Sequence, residues 1–334
     1  MSSQLKIKKI QRAIHNLSLH ESHCTLCPHE CGADRKSGEM GFCESGVQAK
    51  LSHVGLHFGE EPVLSGYQRN SSSIFNINNK TSLIGSGTLF FSGCNLKCLF
   101  CQNYQLSWYN QGNNFTSAEL ADSLLSLQDQ GALNINLVSP MHFLIPILHG
   151  LKLAYEQGLH LPIVYNTNAY EKVQTLNLLE GIIDIYLPDL KFYSTQAAQT
   201  FSNKPDYFQH ASLAIKEMYR QRSDLKFNDN EIAQEGLIIR HLVLPGMIKD
   251  SLKIIEWIAS NVSLSVGLSL MSQYFPCFRA PKTIQKKLSS KDYFQSVEHA
   301  QKMGFETLFI QPELFESTEH LNPDFDKKKP FKWS

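Results

Sequence analysis

From about residue 85 onward, short apolar runs alternate with longer amphipathic ones, and this rhythm constrains the fold more than any other feature of the sequence. The runs at 87–91, 134–138, 162–166, 183–187, 237–244, 264–270 and 307–310 have the length and composition of buried strands. Between them, 117–130, 142–157, 171–180, 206–222, 250–260 and 290–303 carry apolar residues at helical spacing. Thr116 and Ser290 stand where helix caps belong. A strand followed each time by a helix builds parallel βα units, because parallel neighbours need a long crossover. The expected class is therefore α/β, as a barrel or a doubly wound sheet. No internal repeat beyond this rhythm and no low-complexity tract appears.

The first part of the chain reads differently. Residues 4–19 place Leu5, Ile7, Ile10, Ile14 and Leu17 among basic and polar residues, a short amphipathic lead-in helix. From 20 to about 80 the sequence is rich in Gly, Ser, Asn, His and Cys, with brief apolar stretches such as 51–58, and reads as an irregular, ligand-pinned module. The expected organisation is 1–80 for the helix and metal-binding module, 81–312 for the barrel core and 313–334 for a tail.

Charge narrows the partners. The chain carries 31 Lys+Arg against 31 Asp+Glu, which excludes chain-wide electrostatic attraction to nucleic acid. The tail run Asp326-Lys327-Lys328-Lys329-Pro330 is too short to change that. No uncharged apolar window of membrane-spanning length occurs, and charges stand where a secretory core should be, so a soluble, cytoplasmic location with no membrane partner is expected. Seven of the eight cysteines fall into two tight groups, Cys24, Cys27, Cys31, Cys43 and Cys94, Cys98, Cys101, which in such a chain reads as metal ligation.

The second group forms C-x-x-x-C-x-x-C immediately after the first strand of the rhythm. Three thiolates this close suit an iron–sulfur cluster, and a cubane held by three cysteines leaves one iron open for substrate or cofactor. A Cys₃His zinc site would need a histidine that the loop lacks. Phe90, Phe91, Phe100, Tyr104 and Trp108 surround the loop and would shield a cluster from water, or simply pack the core.

From Gly87-Thr88-Leu89-Phe90-Phe91-Ser92-Gly93-Cys94 to Val243-Leu244-Pro245-Gly246 and the last strand, the sequence resembles radical S-adenosylmethionine enzymes, and within them the activating enzymes of pyruvate formate-lyase. The full chain, with CTLCPHECG and RKSGEMGFC near its start, looks closer still to an uncharacterised branch of activating-enzyme homologues. The resemblance implies a partial (β/α) TIM-like barrel of the radical S-adenosylmethionine type. It implies a [4Fe-4S] cluster on Cys94, Cys98 and Cys101, with S-adenosylmethionine on the open iron. One-electron cleavage would then give a 5′-deoxyadenosyl radical that abstracts hydrogen from a substrate. That substrate would be a glycyl-radical enzyme if the resemblance extends so far, or otherwise another protein, peptide or small molecule. The electron would come from a reductant protein such as flavodoxin or ferredoxin. A different class of reading is a non-catalytic iron–sulfur electron-transfer or metal-dependent interaction protein.

The same resemblance nominates cofactor residues at strand ends, where barrel ligands gather. Ser139-Pro140-Met141-His142 stands where the family commonly has Gly-Gly-Glu, leaving Asn136, Ser139 and His142 as candidates for the cofactor's amino group. Gly59-Glu60-Glu61-Pro62 is similar to the lost motif but precedes the cluster loop, so the role is not transferred to it. Asn166 replaces an acid of the family, Asp189 and Lys191 match its Asp-Leu-Lys stretch, and Arg240 aligns with a pocket arginine. Gln273 and Tyr274 fall where the family has an adenosine-contacting histidine. The plain alternative is that strand-end polar groups cap helices or satisfy loop amides.

Four thiolates at Cys24, Cys27, Cys31 and Cys43 close a tetrahedral zinc site and equally saturate an auxiliary cubane. Either would supply folding energy that so small a module lacks. With no open metal position, this group is expected to stabilise the protein and shape its target surface rather than start a radical. His23 and His29 flank it, and Cys277 reads as an isolated small thiol.

Overall fold

The computed structural model describes residues 2–66, 84–311, 323–327 and 329–331. The expected boundary at 80/81 and much of the tail lie outside the described residues. In chain order the elements are α1 (Ser3–Leu17), β1 (Ala49–His57), α2 (Pro62–Ser65), β2 (Ser86–Phe91), α3 (Tyr104–Ser107), β3 (Asn113–Phe115) and α4 (Ser117–Asp129). There follow β4 (Ile135–Val138), α5 (Leu144–Glu156), β5 (Ile163–Thr167), α6 (Val173–Asn177), β6 (Ile185–Pro188), α7 (Thr195–Ser202) and α8 (Tyr207–Arg222). The last are β7 (Lys226–Phe227), β8 (Ala233–Leu242), α9 (Ile248–Asn261), β9 (Gly267–Met271), α10 (Ser290–Met303) and β10 (Leu308–Ile310).

The parallel strands run β2-β4-β5-β6-β8-β9-β10, in the order of the chain. A doubly wound sheet reverses its strand order and carries helices on both faces. Here the order never reverses. One strand face, with Leu89, Ile135, Leu137, Ile163, Ile239 and Leu268, packs into the main core with helix residues Leu120, Leu148, Ile215 and Ile255. The other face, with Val164, Ile185, Leu187 and Ile238, receives Leu64 of α2 instead. This is an open (β/α) barrel, ending in the edge strands β3 and β10. Among the described residues no helix is long and apolar enough to cross a membrane.

Thr116 caps α4 through a full capping box with Glu119, as its position suggests. For α10 the cap is Ser289, one residue before the expected Ser290. Residues 49–57, read from sequence as part of an irregular stretch, form β1, antiparallel to β2 and β3. Ala49 and Leu51 are buried and the rest of the strand is half-buried, held by pairing that local pattern does not reveal. α1 docks on α5, and its Lys6 donates to the Tyr155 hydroxyl at 3.0 Å and pairs with Asp184.

On the inner face, Phe325 of the tail packs with Phe90 and Leu106, and Phe331 joins them. The tail backbone is tied there by Phe325 N donating to Gln105 Oε1 at 2.9 Å.

Candidate functional site

β2 is buried along its whole length and ends in the loop that carries Cys94, Cys98 and Cys101. The loop is tied on both sides: Leu99 N donates to Phe201 O at 2.8 Å, Arg279 N to Leu99 O at 3.1 Å, and Trp108 Nε1 to Cys98 O at 3.1 Å. Several donors face the sulfurs. Leu96 N, Lys97 N and Asn168 Nδ2 approach Cys94 Sγ at 3.3, 3.5 and 3.5 Å, and Ser107 Oγ approaches Cys101 Sγ at 3.2 Å. Burial pushes the Cys98 and Cys101 thiols up, so binding a cation there must displace protons. Cys277 is the partly buried free thiol expected, and it lies beside the loop: its thiol reaches Cys101 O at 3.5 Å, and burial pushes it up to about 12.

Lys191 stands over these sulfurs. Burial opposes its charge, but the Asp189 carboxylate beside it outweighs that and holds it above its ordinary value. Its ammonium lies 2.5 Å from Asp189 Oδ2. Asp189 in turn bridges to Arg240 on β8, where Leu190 N donates to Arg240 O at 2.8 Å. The Arg240 guanidinium turns toward two acids, donating to Glu61 Oε1 at 2.8 Å and Oε2 at 2.5 Å and pairing with Glu60. Burial would raise the Glu60 carboxyl, but Arg240 and then His57 hold it well below the usual range. Thus Glu60 and Glu61, set aside in the sequence reading, pair with an arginine whose backbone runs beside Asp189. β1 and α2 carry them there, and only the long-range pairing of β1 with β2 makes that visible.

Asn136 lies on β4 between Thr88 and Val164 of the neighbouring strands and is fully buried, and neither its Nδ2 nor its Oδ1 has a partner. Leaving both ends of a buried amide unmade costs roughly 1–3 kcal/mol per group. A polar ligand on the inner face would remove that cost, so the residue fits a cofactor site. Asn166 lies one strand over, across from Val138 and half-buried.

Other candidates are engaged elsewhere. Ser139 adopts φ 57° and its N–H donates to Asn166 O at 2.8 Å. His142 is buried and neutral, burial lowering it to about 4, and its Nε2 donates to Ser92 O at 2.7 Å. Gln273 Oε1 accepts from Gln311 Nε2 at 3.2 Å. Tyr274 is core, its hydroxyl on Ile284 O at 2.8 Å and its ring against Phe100.

Sequence gave no signal for Glu171. This acid is buried beside Tyr165 OH at 3.1 Å and Thr167 Oγ1, and burial raises it to about 7. It fixes the 167–170 turn from which Asn168 reaches Cys94.

The four N-terminal cysteines all line one small pocket, together with His29, Arg35, His142 and Asn95 of the cluster loop. His29 Nε2 lies 2.6 Å from Asn95 O, whereas His23 is exposed over Gly32. Among the described residues no three His, Cys, Asp or Glu side chains are grouped to grip a single metal ion. A cubane sets its irons between its thiolates and needs them farther apart than one ion does.

The fold and these residues define a class: an open (β/α) barrel with a three-thiol loop at the carboxyl end of its first parallel strand and a four-thiol cavity beside it. The chain belongs to the family of Uncharacterized protein MJ0674 from Methanocaldococcus jannaschii, to which it is 30% identical over 299 residues, 86% of this chain and 77% of that protein. No family model matches it. Among solved structures it is similar to a domain of pyruvate-formate lyase-activating enzyme from Bacteroides vulgatus, at 14% identity over 48% of this chain and 85% of that one, with a TM-score of 0.33. It is also similar to Streptococcus suis SuiB bound to S-adenosylmethionine, at 16% identity over 66% of this chain, with a TM-score of 0.45. That match spans 48% of the SuiB chain, about half its length.

Proposed function

We propose that this chain is a radical S-adenosylmethionine enzyme, which reductively cleaves that cofactor and abstracts hydrogen from an organic substrate. The observation that carries the reading is the three-thiol loop at the end of β2, facing Lys191 and Asp189 and set beside an inner face that holds the unpartnered Asn136. When bound, a [4Fe-4S] cluster with S-adenosylmethionine supplies one-electron cleavage to methionine and a 5′-deoxyadenosyl radical.

The chain's own residues do the rest. Cys94, Cys98 and Cys101 hold the cluster, and the donors on Cys94 and Cys101 stabilise charge on sulfur. The Lys191 ammonium suits a carboxylate, and Asn136 offers one donor and one acceptor to an amino or ribose group. Glu60 and Glu61 set two carboxylates beside Arg240 and His57, and carboxylates there suit a cationic ammonium or sulfonium. Phe90, Leu106 and Phe325 keep water from the inner face. The electron comes from a one-electron protein donor of the flavodoxin or ferredoxin kind.

Titrating the reduced, reconstituted protein with S-adenosylmethionine under paramagnetic resonance tests this. The cluster signal is expected to change shape and saturate. A signal indifferent to the cofactor would leave an iron–sulfur electron carrier instead.

A further inference from the structure

The four-thiol cavity has features that one ion does not use. Arg35 is buried in its wall, with Nη2 donating to Cys24 Sγ at 3.3 Å and Cys43 Sγ at 3.4 Å and Nη1 donating to His142 O at 2.5 Å. Guanidinium bonds to two sulfurs at once suit thiolates, which are far better acceptors than thiols. Its Nε is buried too, yet has no partner. A zinc ion brings no acceptor for that N–H, whereas a cubane brings inorganic sulfides.

The cavity also touches the first loop. Gly93 has φ 80°, and a Cβ there would overlap the Cys43 carbonyl oxygen and crowd His142 Nε2 at 3.3 Å, so only glycine fits. Cys43 thus abuts the residue bonded to Cys94.

We propose that Cys24, Cys27, Cys31 and Cys43 hold a second [4Fe-4S] cluster, electronically coupled to the first through the contact of Cys43 with Gly93. The site stands on its own residues; the coupling rests on the first cluster proposed above. One electron from a one-electron reductant, dithionite or reduced flavodoxin, reduces the second cluster from its 2+ to its 1+ state. Passing that electron on reoxidises the second cluster and reduces the first.

Anaerobic reconstitution of the full chain with iron and sulfide tests the assignment. Wild type is expected to hold about eight irons and about eight sulfides, four for each cubane, and the Cys94→Ala/Cys98→Ala/Cys101→Ala variant about four with a reduced-cluster paramagnetic signal. The Cys27→Ala/Cys31→Ala variant is expected to keep about four on the other loop. If it does not fold, the triple variant decides alone, because Cys24 to Cys43 are untouched in it. In reduced wild type, spin–spin broadening beyond the sum of the two variants' spectra is expected. One zinc in the triple variant, or no iron there, overturns the cluster, and spectra that merely add overturn the coupling. Wild-type iron that survives the triple substitution in full would instead overturn the first cluster and leave this one standing.

Discussion

The two cysteine groups lie side by side yet are built in opposite ways. The three-thiol loop hangs from a strand buried at every residue and is clamped by backbone bonds to Phe201 and Arg279. The four-thiol segment, from the end of a short 3₁₀ turn at Glu21 to the start of β1 at Ala49, contains no helix or strand. It is held by turn bonds such as Cys24 N to Ala33 O and Gly32 N to Cys24 O, by Arg35, and by side chains of the barrel that reach its backbone, Thr175 Oγ1 to Leu26 O at 2.7 Å and Asn110 Nδ2 to Glu44 O at 2.9 Å. One site is placed by a fold that stands without metal. Loss of the proposed metals is therefore expected to cost chemistry at the first site and local structure at the second.

The largest effect separates the two on the first side. Cys94→Ala, Cys98→Ala or Cys101→Ala is expected to lower 5′-deoxyadenosine formation by more than about a thousandfold, about 4 kcal/mol, while the melting temperature barely moves. Parallel losses of activity and stability would erase the contrast. Next, chelation or Cys24→Ala/Cys27→Ala is expected to cost residues 22–48 about 3 kcal/mol of local stability, read as lost hydrogen-exchange protection, while 84–311 keep theirs. Uniform loss across the chain would make the module part of one cooperative unit.

A smaller effect probes the scaffold under the first loop. Glu171 is raised to about 7 from 4.5, so the native state keeps a proton that the unfolded chain has released. Stability therefore falls as pH rises from about 4.5 to 7, by about 3 kcal/mol at most. Glu171→Gln is expected to flatten that slope in denaturant titrations at several pH values. An unchanged slope would mean that the carboxyl is ionised in the fold. The smallest effect is at Asn136. Asn136→Leu is expected to raise stability by about 1 kcal/mol, by removing an unsatisfied amide, and to weaken S-adenosylmethionine binding about tenfold. Lower stability with unchanged binding would assign the residue to the scaffold.

These outcomes bear on how much a sequence can carry. The strands of the barrel were legible because 134–138 or 162–166 must be apolar on one face whatever lies opposite. Barrel and doubly wound sheet remained equivalent, since helix faces and strand order are tertiary facts. β1 was hidden because Lys50, Ser52 and His53 look like loop until β2 and β3 pair on either side of the strand, and α7 because the buried face of Thr195–Ser202 is mostly small, with two alanines and one Phe. The three-thiol loop stood out by its spacing, and Asp189 and Lys191 were nominated by the resemblance to the family's Asp-Leu-Lys stretch at a strand end. Glu60 and Glu61 were visible as residues but not as site, because their place under Arg240 depends on β1. His142 misled, for the chain turn after β4 sends it to Ser92 and the four-thiol cavity.

The central claim is that this chain cleaves S-adenosylmethionine on the three-thiol loop. Reconstituted anaerobically and given excess dithionite and S-adenosylmethionine, the wild-type chain is predicted to yield 5′-deoxyadenosine and methionine in equal amounts, and Cys98→Ala none. A wild-type protein that keeps a reducible cluster on Cys94, Cys98 and Cys101 yet forms no 5′-deoxyadenosine would contradict it.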